Sequence, residues 1–111
     1  MMEVIRNSVR LTGVAGIDPV IVSFPTNKRI ARVSLAVNEF YKSTSGEPIS
    51  QTQWFNLVFW NKKVELVENI VKKGCLITIE GKLNTQSYTD KKGEQRFNTE
   101  IVVNNLELVV N

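Results

Sequence analysis

Histidine is absent from all 111 residues of the chain. Its absence removes the commonest general base, the commonest zinc ligand and every Ser/His or Cys/His nucleophile pair. Catalysis would have to rest on carboxylates or lysines, and the closest carboxylate pair on a predicted helix is Glu65 with Glu68. A solvated helix face explains that pair more simply. The sequence therefore argues against an enzyme and gives no reason to expect a metal or a cofactor.

Cysteine and long apolar runs are equally scarce. Cys75 is the only cysteine, and its place at the head of the apolar run CLITI predicts a small buried hydrophobe. No apolar run approaches the roughly 20 residues of a membrane span, and the opening MMEVIRNSVR carries charges where a signal peptide would be apolar. We expect one domain over residues 1–111, located in the cytoplasm (nucleoid-associated) and without a membrane partner.

The charge is only mildly positive, with a net value of +3 and a pI near 9.2. Such a balance is compatible with a polyanionic partner, but it is also common among proteins that bind none. Charge alone therefore decides little.

Turn formers divide the chain into extended pieces with one helix between them. Asn61 is the predicted cap of the helix KKVELVENIVKK, which Gly74 ends. The segments STSGEPIS and TDKKGEQ are the predicted loops of two hairpins. The extended pieces are EVIRNSVRLTG, which breaks near Gly13 and Gly16, VIVSF, Arg29 to Tyr41, QTQWFNLVFWN, a strand from Cys75, and RFNTEIVVNNLELVV.

This order predicts an all-β fold with one helix. Three main strands, a helix and two further strands match the five-stranded Greek-key β-barrel called the OB-fold, with the helix between strands 3 and 4. Gly81, inside the fourth main strand, suits the sharp coiling of so small a barrel.

Four aromatic residues are placed by alternation or by a neighbouring loop away from the predicted core: Tyr41, Trp54, Trp60 and Tyr88. Trp54 and Trp60 share a parity opposite to the core-type positions 55, 57 and 59. A large ring in a β-domain is more often core, but an exposed ring is also a platform on which a nucleobase stacks. Together the four favour base stacking by a single-stranded nucleic acid.

The lysines nearest those rings are the predicted phosphate contacts. Lys42 follows Tyr41, Lys62 lies two residues after Trp60, and Lys91 and Lys92 lie in the loop after Tyr88. Lys72 and Lys73 are assigned instead to the end of the helix, where cations oppose its negative pole.

Several blocks in order resemble those of the bacterial single-stranded DNA-binding protein (SSB) family: SLAVNEFY, TQWFNLVFWNK, VKKG, ITIEGKL, SYTDKKGEQRF and TEIVV. The resemblance implies an OB-fold homotetramer that wraps single-stranded DNA with little regard to sequence, in replication, recombination or repair. It also implies that Tyr41, Trp54, Trp60 and Tyr88 are the base-stacking positions.

The sequence departs from that family in three respects. The family continues into a tail with an acidic tip that recruits other proteins, so we expect no such recruitment by a chain that stops at Asn111. Phe55 stands where the family commonly has a histidine at a subunit contact, which leaves a dimer possible. The stretch containing Asn84, Gln86 and Ser87 is often basic in the family, which could weaken binding here.

Two alternatives remain open at this stage. The barrel could be an RNA-binding module or one like primosomal replication protein N. It could also be a protein-interaction OB domain in which Trp54 and Trp60 are buried at a subunit interface.

Overall fold

The computed structural model describes residues 7–109. Residues 3–6 of the predicted first strand and Val110 of the predicted last strand lie outside the described range. No helix within it is long and apolar enough to cross a membrane. The elements are β1 (Val9–Ala15), β2 (Val20–Ser23), β3 (Arg29–Lys42), β4 (Pro48–Trp60), α1 (Lys62–Ile70), β5 (Leu76–Thr89) and β6 (Gln95–Leu108).

Five of the strands close into a barrel. The sheet order is β1-β5-β6-β4-β3-β2, and β1 also pairs with β3 through Val14 and Ala36. That second pairing closes the ring and leaves the short β2 outside it, bonded to β3. The β4–β6 pair is parallel, whereas the other pairs are antiparallel. The predicted OB-fold is confirmed, with α1 between the third and fourth barrel strands.

The alternation of each strand supplies the core. The odd-numbered residues of β3, β4 and β5 face inward, and α1 adds Val64 and Val67, which are fully buried. Contacts of α1 with β3, β4 and β6 hold it against the barrel. The main interior side chains are Val33, Leu35, Leu57, Phe59, Ile77, Ile79 and Ile101.

Two hairpins extend the barrel strands into arms. The β3–β4 register runs without a break from Ile30 opposite Trp60 to Lys42 opposite Pro48. The β5–β6 hairpin continues to Thr89 opposite Gln95. Residues along the outer halves of both hairpins are mostly exposed, because no other strand or helix of residues 7–109 covers them. Phe97, whose parity matches that of the buried Ile101, is exposed for this reason.

Gly81 coincides with a β-bulge, as its proposed role in coiling requires. Glu80 pairs with Asn105, but Gly81 pairs with Val103, so Asn104 has no partner. A Cβ on Gly81 would lie 2.2 Å from the carbonyl oxygen of Val102. Only glycine allows the two backbones to approach this closely.

The helix differs from its prediction at both ends. Asn61 has a φ of 50° and makes no side-chain cap; its Oδ1 instead accepts a hydrogen bond of 3.2 Å from the Arg29 amide. At the other end α1 stops at Ile70 and Val71 is extended. Lys72 and Lys73 therefore lie beyond the helix and not in its last turn. The predicted break near Gly13 is also wrong, since β1 continues through it to Ala15.

Candidate nucleic-acid interface

Trp54 and Trp60 lie on the same side of β4, as the alternation predicts. We call this side, formed by the even-numbered residues of β3 and β4, the outer face. Trp54 is 63% exposed and Trp60 43% exposed. Six residues of strand separate them by about 20 Å. Two large rings thus stand on one surface, open to solvent.

A glycine just after β1, on the far side of β3 from Trp54, makes room for the Trp54 indole. Gly16 follows β1 and donates a backbone hydrogen bond of 2.8 Å to the carbonyl of Ser34 on β3. A Cβ on Gly16 would lie 2.4 Å from Cζ3 of Trp54. Ala36 lies opposite Trp54 in the register. The ring therefore lies over a floor of small residues.

An ion pair covers the strand between the two tryptophans. Arg32 on β3 and Glu100 on β6 lie on either side of β4, and their side chains are paired. Val58 belongs to the outer face yet is only 2% exposed, which this pair explains. The Arg32 charge is thus matched by Glu100 and is less available to a phosphate than the free lysines.

A shallow groove of about 230 Å³ adjoins this pair, with the amides of Asn56 and Asn98 in its lining. Both amides present donors and acceptors without net charge. The groove lining thus combines these uncharged amides with the paired charges of Arg32 and Glu100.

The other two predicted stacking residues lie elsewhere. Tyr41, 51% exposed, pairs with Ile49 and is odd-numbered, so it lies on the opposite side of the β3–β4 hairpin from Trp54. Tyr88, 53% exposed, lies on the β5–β6 hairpin opposite Arg96. The structure thus groups Trp54 with Trp60, and it does not place Tyr41 or Tyr88 on that face. Stacking by these two tyrosines stays a prediction.

The four predicted phosphate contacts are all exposed: Lys42, Lys62, Lys91 and Lys92. Lys42 ends β3 and is even-numbered, so it projects to the outer face. Lys62 begins α1, directly after the Asn61 turn that follows Trp60. None of the four forms a salt bridge with another side chain of residues 7–109, and each phosphate assignment stays a prediction.

Asp90 organises the loop that carries Lys91 and Lys92. Its Oδ1 accepts 2.9 Å hydrogen bonds from the amides of Lys92 and Glu94, and its Oδ2 accepts one of 3.0 Å from Arg96 Nε. The Arg96 hydrogen bond, followed by the Glu94 amide, lowers the pKa of the Asp90 carboxyl below its ordinary value. The ionised Asp90 carboxylate thus joins the two sides of the loop tip through these hydrogen bonds.

Exposed aromatic residues also occur outside the predicted set. Phe40 is 80% exposed and Phe97 70% exposed. Phe40 is on the outer face, and its even position, shared with Arg32 and Ser34, was the sequence signal that could have identified it. Within residues 7–109, no group of three or more His, Cys, Asp and Glu side chains is placed to hold a metal ion.

A closed five-stranded barrel with this strand order is an OB-fold, an architecture that includes barrels that bind oligonucleotides or oligosaccharides. The model of the single-strand binding protein family matches residues 6–109. The chain belongs to that family.

The chain is also similar to two known proteins, one by sequence and one by structure. The chain is 38% identical over 105 residues to a single-stranded DNA-binding protein of Bacteroides thetaiotaomicron. This match covers 93% of the chain but 65% of the relative, so the chain spans about two thirds of that protein's length. The solved structure of a Plasmodium falciparum SSB complex with ssDNA superposes with a TM-score of 0.90 at 27% identity, covering 99% of this chain and 100% of that one.

Proposed function

We propose that the chain binds and protects single-stranded DNA without regard to sequence, in replication, recombination or repair, and does so as a binding protein and not an enzyme. The observation that carries this proposal is the pair of solvent-exposed tryptophans, Trp54 and Trp60, on one face of β4. The names of the Bacteroides relative and of the Plasmodium complex support it.

The physical basis is stacking of bases on the tryptophan rings, together with the attraction of lysine side chains for the phosphates that link the bases. Every base has an aromatic face, so stacking on tryptophan contributes about 1–3 kcal/mol per base whatever the sequence. Lys42 and Lys62 stand beyond Trp54 and Trp60 in opposite directions along the hairpin, where they would meet the phosphates. Stacking explains tolerance of sequence, and the lysines explain preference for a polyanion.

The proposal extends to the assembled protein. One domain over residues 1–111 would assemble as a homotetramer, or as a dimer if Phe55 alters the subunit contact, and act on DNA in the cytoplasm. The outer face would stay free of subunit contacts, because a strand must reach both tryptophans. A solution mass measurement on the full chain tests the oligomeric state.

The test of binding is a fluorescence titration with poly-thymidine at two salt concentrations. Stacking should quench tryptophan emission, and added salt should reverse part of the binding. Trp54→Ala and Trp60→Ala should each weaken binding by about 1–3 kcal/mol while the circular dichroism spectrum is unchanged, since both rings are exposed.

Two further measurements complete the design. Binding is compared between DNA and RNA strands of matched sequence, and the solution mass of each variant is determined. Normal binding by both variants would refute the proposal. A variant that dissociates the oligomer would place its tryptophan at a subunit interface instead. Tighter binding of the RNA strand would favour an RNA-binding module.

A further inference from the structure

The strand β2 extends the surface around Trp60 sideways, beyond β3. Val22 pairs with Ile30, and Ile30 pairs with Trp60. Because residues directly opposite each other in neighbouring strands project to the same side, these three side chains form one row on the side that carries the tryptophans. Val20, two residues before Val22, projects to this side as well.

This row is an apolar surface separate from the barrel core. Ile30 is only 4% exposed, yet it is not among the residues that fill the barrel, because it projects outward. The side chains that flank it in the row, Val22 and Trp60, are 38% and 43% exposed, and Val20 is 51% exposed. Single exposed apolar residues are ordinary. Here two exposed valines adjoin a buried isoleucine and an indole, so the four side chains form a continuous apolar patch.

The surroundings of this patch favour the edge of a base over a phosphate. Arg32, the residue opposite Val20, is paired with Glu100, so its charge is already matched. Neighbouring strands are about 4.8 Å apart, which places Val22 about 10 Å from Trp60 across β3. A base stacked on the indole can therefore direct one edge along the row toward the valines. Apolar side chains read the C5-methyl group of thymine, and uracil has a hydrogen atom in its place.

We propose that Val20 and Val22 make the Trp60 position prefer thymine to uracil, through contact of their methyl groups with the C5-methyl group of a base stacked on Trp60. The inference rests on the proposed function, because the base belongs to the single strand that crosses the tryptophans. Stacking alone accepts any base. The valines add a discrimination against uracil, and so a chemical means of favouring DNA.

The test compares a thymidine and a deoxyuridine oligonucleotide, each of about 16 nucleotides, on the full-length chain. Both strands have the same sugar and the same charge, so the ratio of their affinities isolates the methyl group. Burial of one methyl group strengthens binding by up to about 4-fold, and we expect the wild type to bind the thymidine strand about 2–4-fold more tightly. Val20→Thr with Val22→Thr keeps the side-chain shapes but replaces a methyl group by a hydroxyl at each position. This double variant should reduce the ratio to about half of the wild-type value or less.

Ile21→Thr is the matched control, since it introduces a hydroxyl on the same strand. Ile21 pairs with the core residue Ala31 and so projects to the opposite side, and its variant should keep the wild-type ratio. The effect of the double variant should be the same at two salt concentrations, because an apolar contact releases no counterions. Val22→Thr alone should lower the ratio by a smaller factor, which keeps the test valid if the double variant folds poorly.

Three results would overturn the inference: equal binding of both strands by the wild type, an unchanged ratio in the double variant, or an equal fall of the ratio in Ile21→Thr. A lower solution mass of the double variant would also overturn it, by assigning the valines to a subunit contact. Trp60→Ala separates the inference from the proposed function. If Trp60→Ala weakens binding of both strands while the valine variants keep the ratio, the proposed function stands and the inference fails. If neither the tryptophan variants nor the valine variants change binding, both fail.

Discussion

At the scale of the residue, the position of Trp54 depends on the missing side chain of Gly16. Gly16→Ala would place a methyl group 2.4 Å from the present position of Cζ3, and the exposed ring can move away. We expect a shifted emission spectrum and weaker binding of poly-thymidine than in the wild type. The free energy of unfolding should change by less than about 1 kcal/mol, because the clash is with an exposed side chain and not with backbone.

A double mutant provides the control for this prediction. Gly16→Ala in a Trp54→Ala background should cause no further loss of binding, since its effect acts through that ring. Additive losses in the two variants would show that Gly16 contributes to binding independently of Trp54.

The alternation along each strand predicted which side of the sheet a residue faces, but not whether other parts of the chain bury it there. The outward positions of Trp54 and Trp60 followed from β4 alone and are confirmed. Val58 shares their parity and is nevertheless buried, because Arg32 and Glu100 meet above it. Phe97 has core parity and is exposed, because its hairpin runs past the barrel. Both outcomes depend on residues distant in sequence, which a local period cannot register.

At the scale of the element, the Arg32–Glu100 pair joins β3 to β6 across β4. The Glu100 side chain is 6% exposed, so removing its partner leaves a nearly buried charge. We expect Arg32→Met to lower the free energy of unfolding by about 1–3 kcal/mol, less than for a wholly buried pair, because Arg32 itself is half in water. Urea denaturation measures the loss.

The double variant Arg32→Met with Glu100→Leu should recover most of that stability, because it leaves no unpaired charge and its two apolar side chains can pack against each other above Val58. A double variant no more stable than Arg32→Met would contradict this account. In that case the loss would come from packing of the arginine stem and not from the unpaired carboxylate.

The helix and strands could be predicted from the sequence where the pattern of neighbouring residues determines them. The α1 pattern gave the existence of the helix, but its end depends on Val71, which turns to an extended conformation and is buried. Tertiary packing there overrides helix propensity. Asn61 had the residue type of a cap, yet its side chain bonds the amide of Arg29, which is 32 residues away in sequence.

At the scale of the whole molecule, the order of the elements predicted the barrel, but closure could not be read from any single segment. The β1–β3 pair and the parallel β4–β6 pair join strands far apart in sequence. The four predicted rings do not share one face for the same reason. Each hairpin has two sides, and only the assembled strand register decides which side a ring occupies. The family resemblance implied four stacking positions, which stay predictions, and it did not show that Tyr41 and Trp54 are on opposite sides of the hairpin.

The last prediction concerns the electrostatic attraction of the molecule as a whole. Lys91→Gln with Lys92→Gln should make the salt dependence of poly-thymidine binding shallower, because each lost phosphate contact removes about 0.7 from the slope of log affinity against log salt for a single strand. Base preference should not change, since phosphates carry no sequence information. Lys91→Arg with Lys92→Arg retains the charge and should retain the slope. An unchanged slope in the glutamine variant would mean that the tip of the β5–β6 hairpin does not contact the DNA. Of the four predicted phosphate contacts, only Lys42 and Lys62 would then remain, beyond Trp54 and Trp60 in opposite directions.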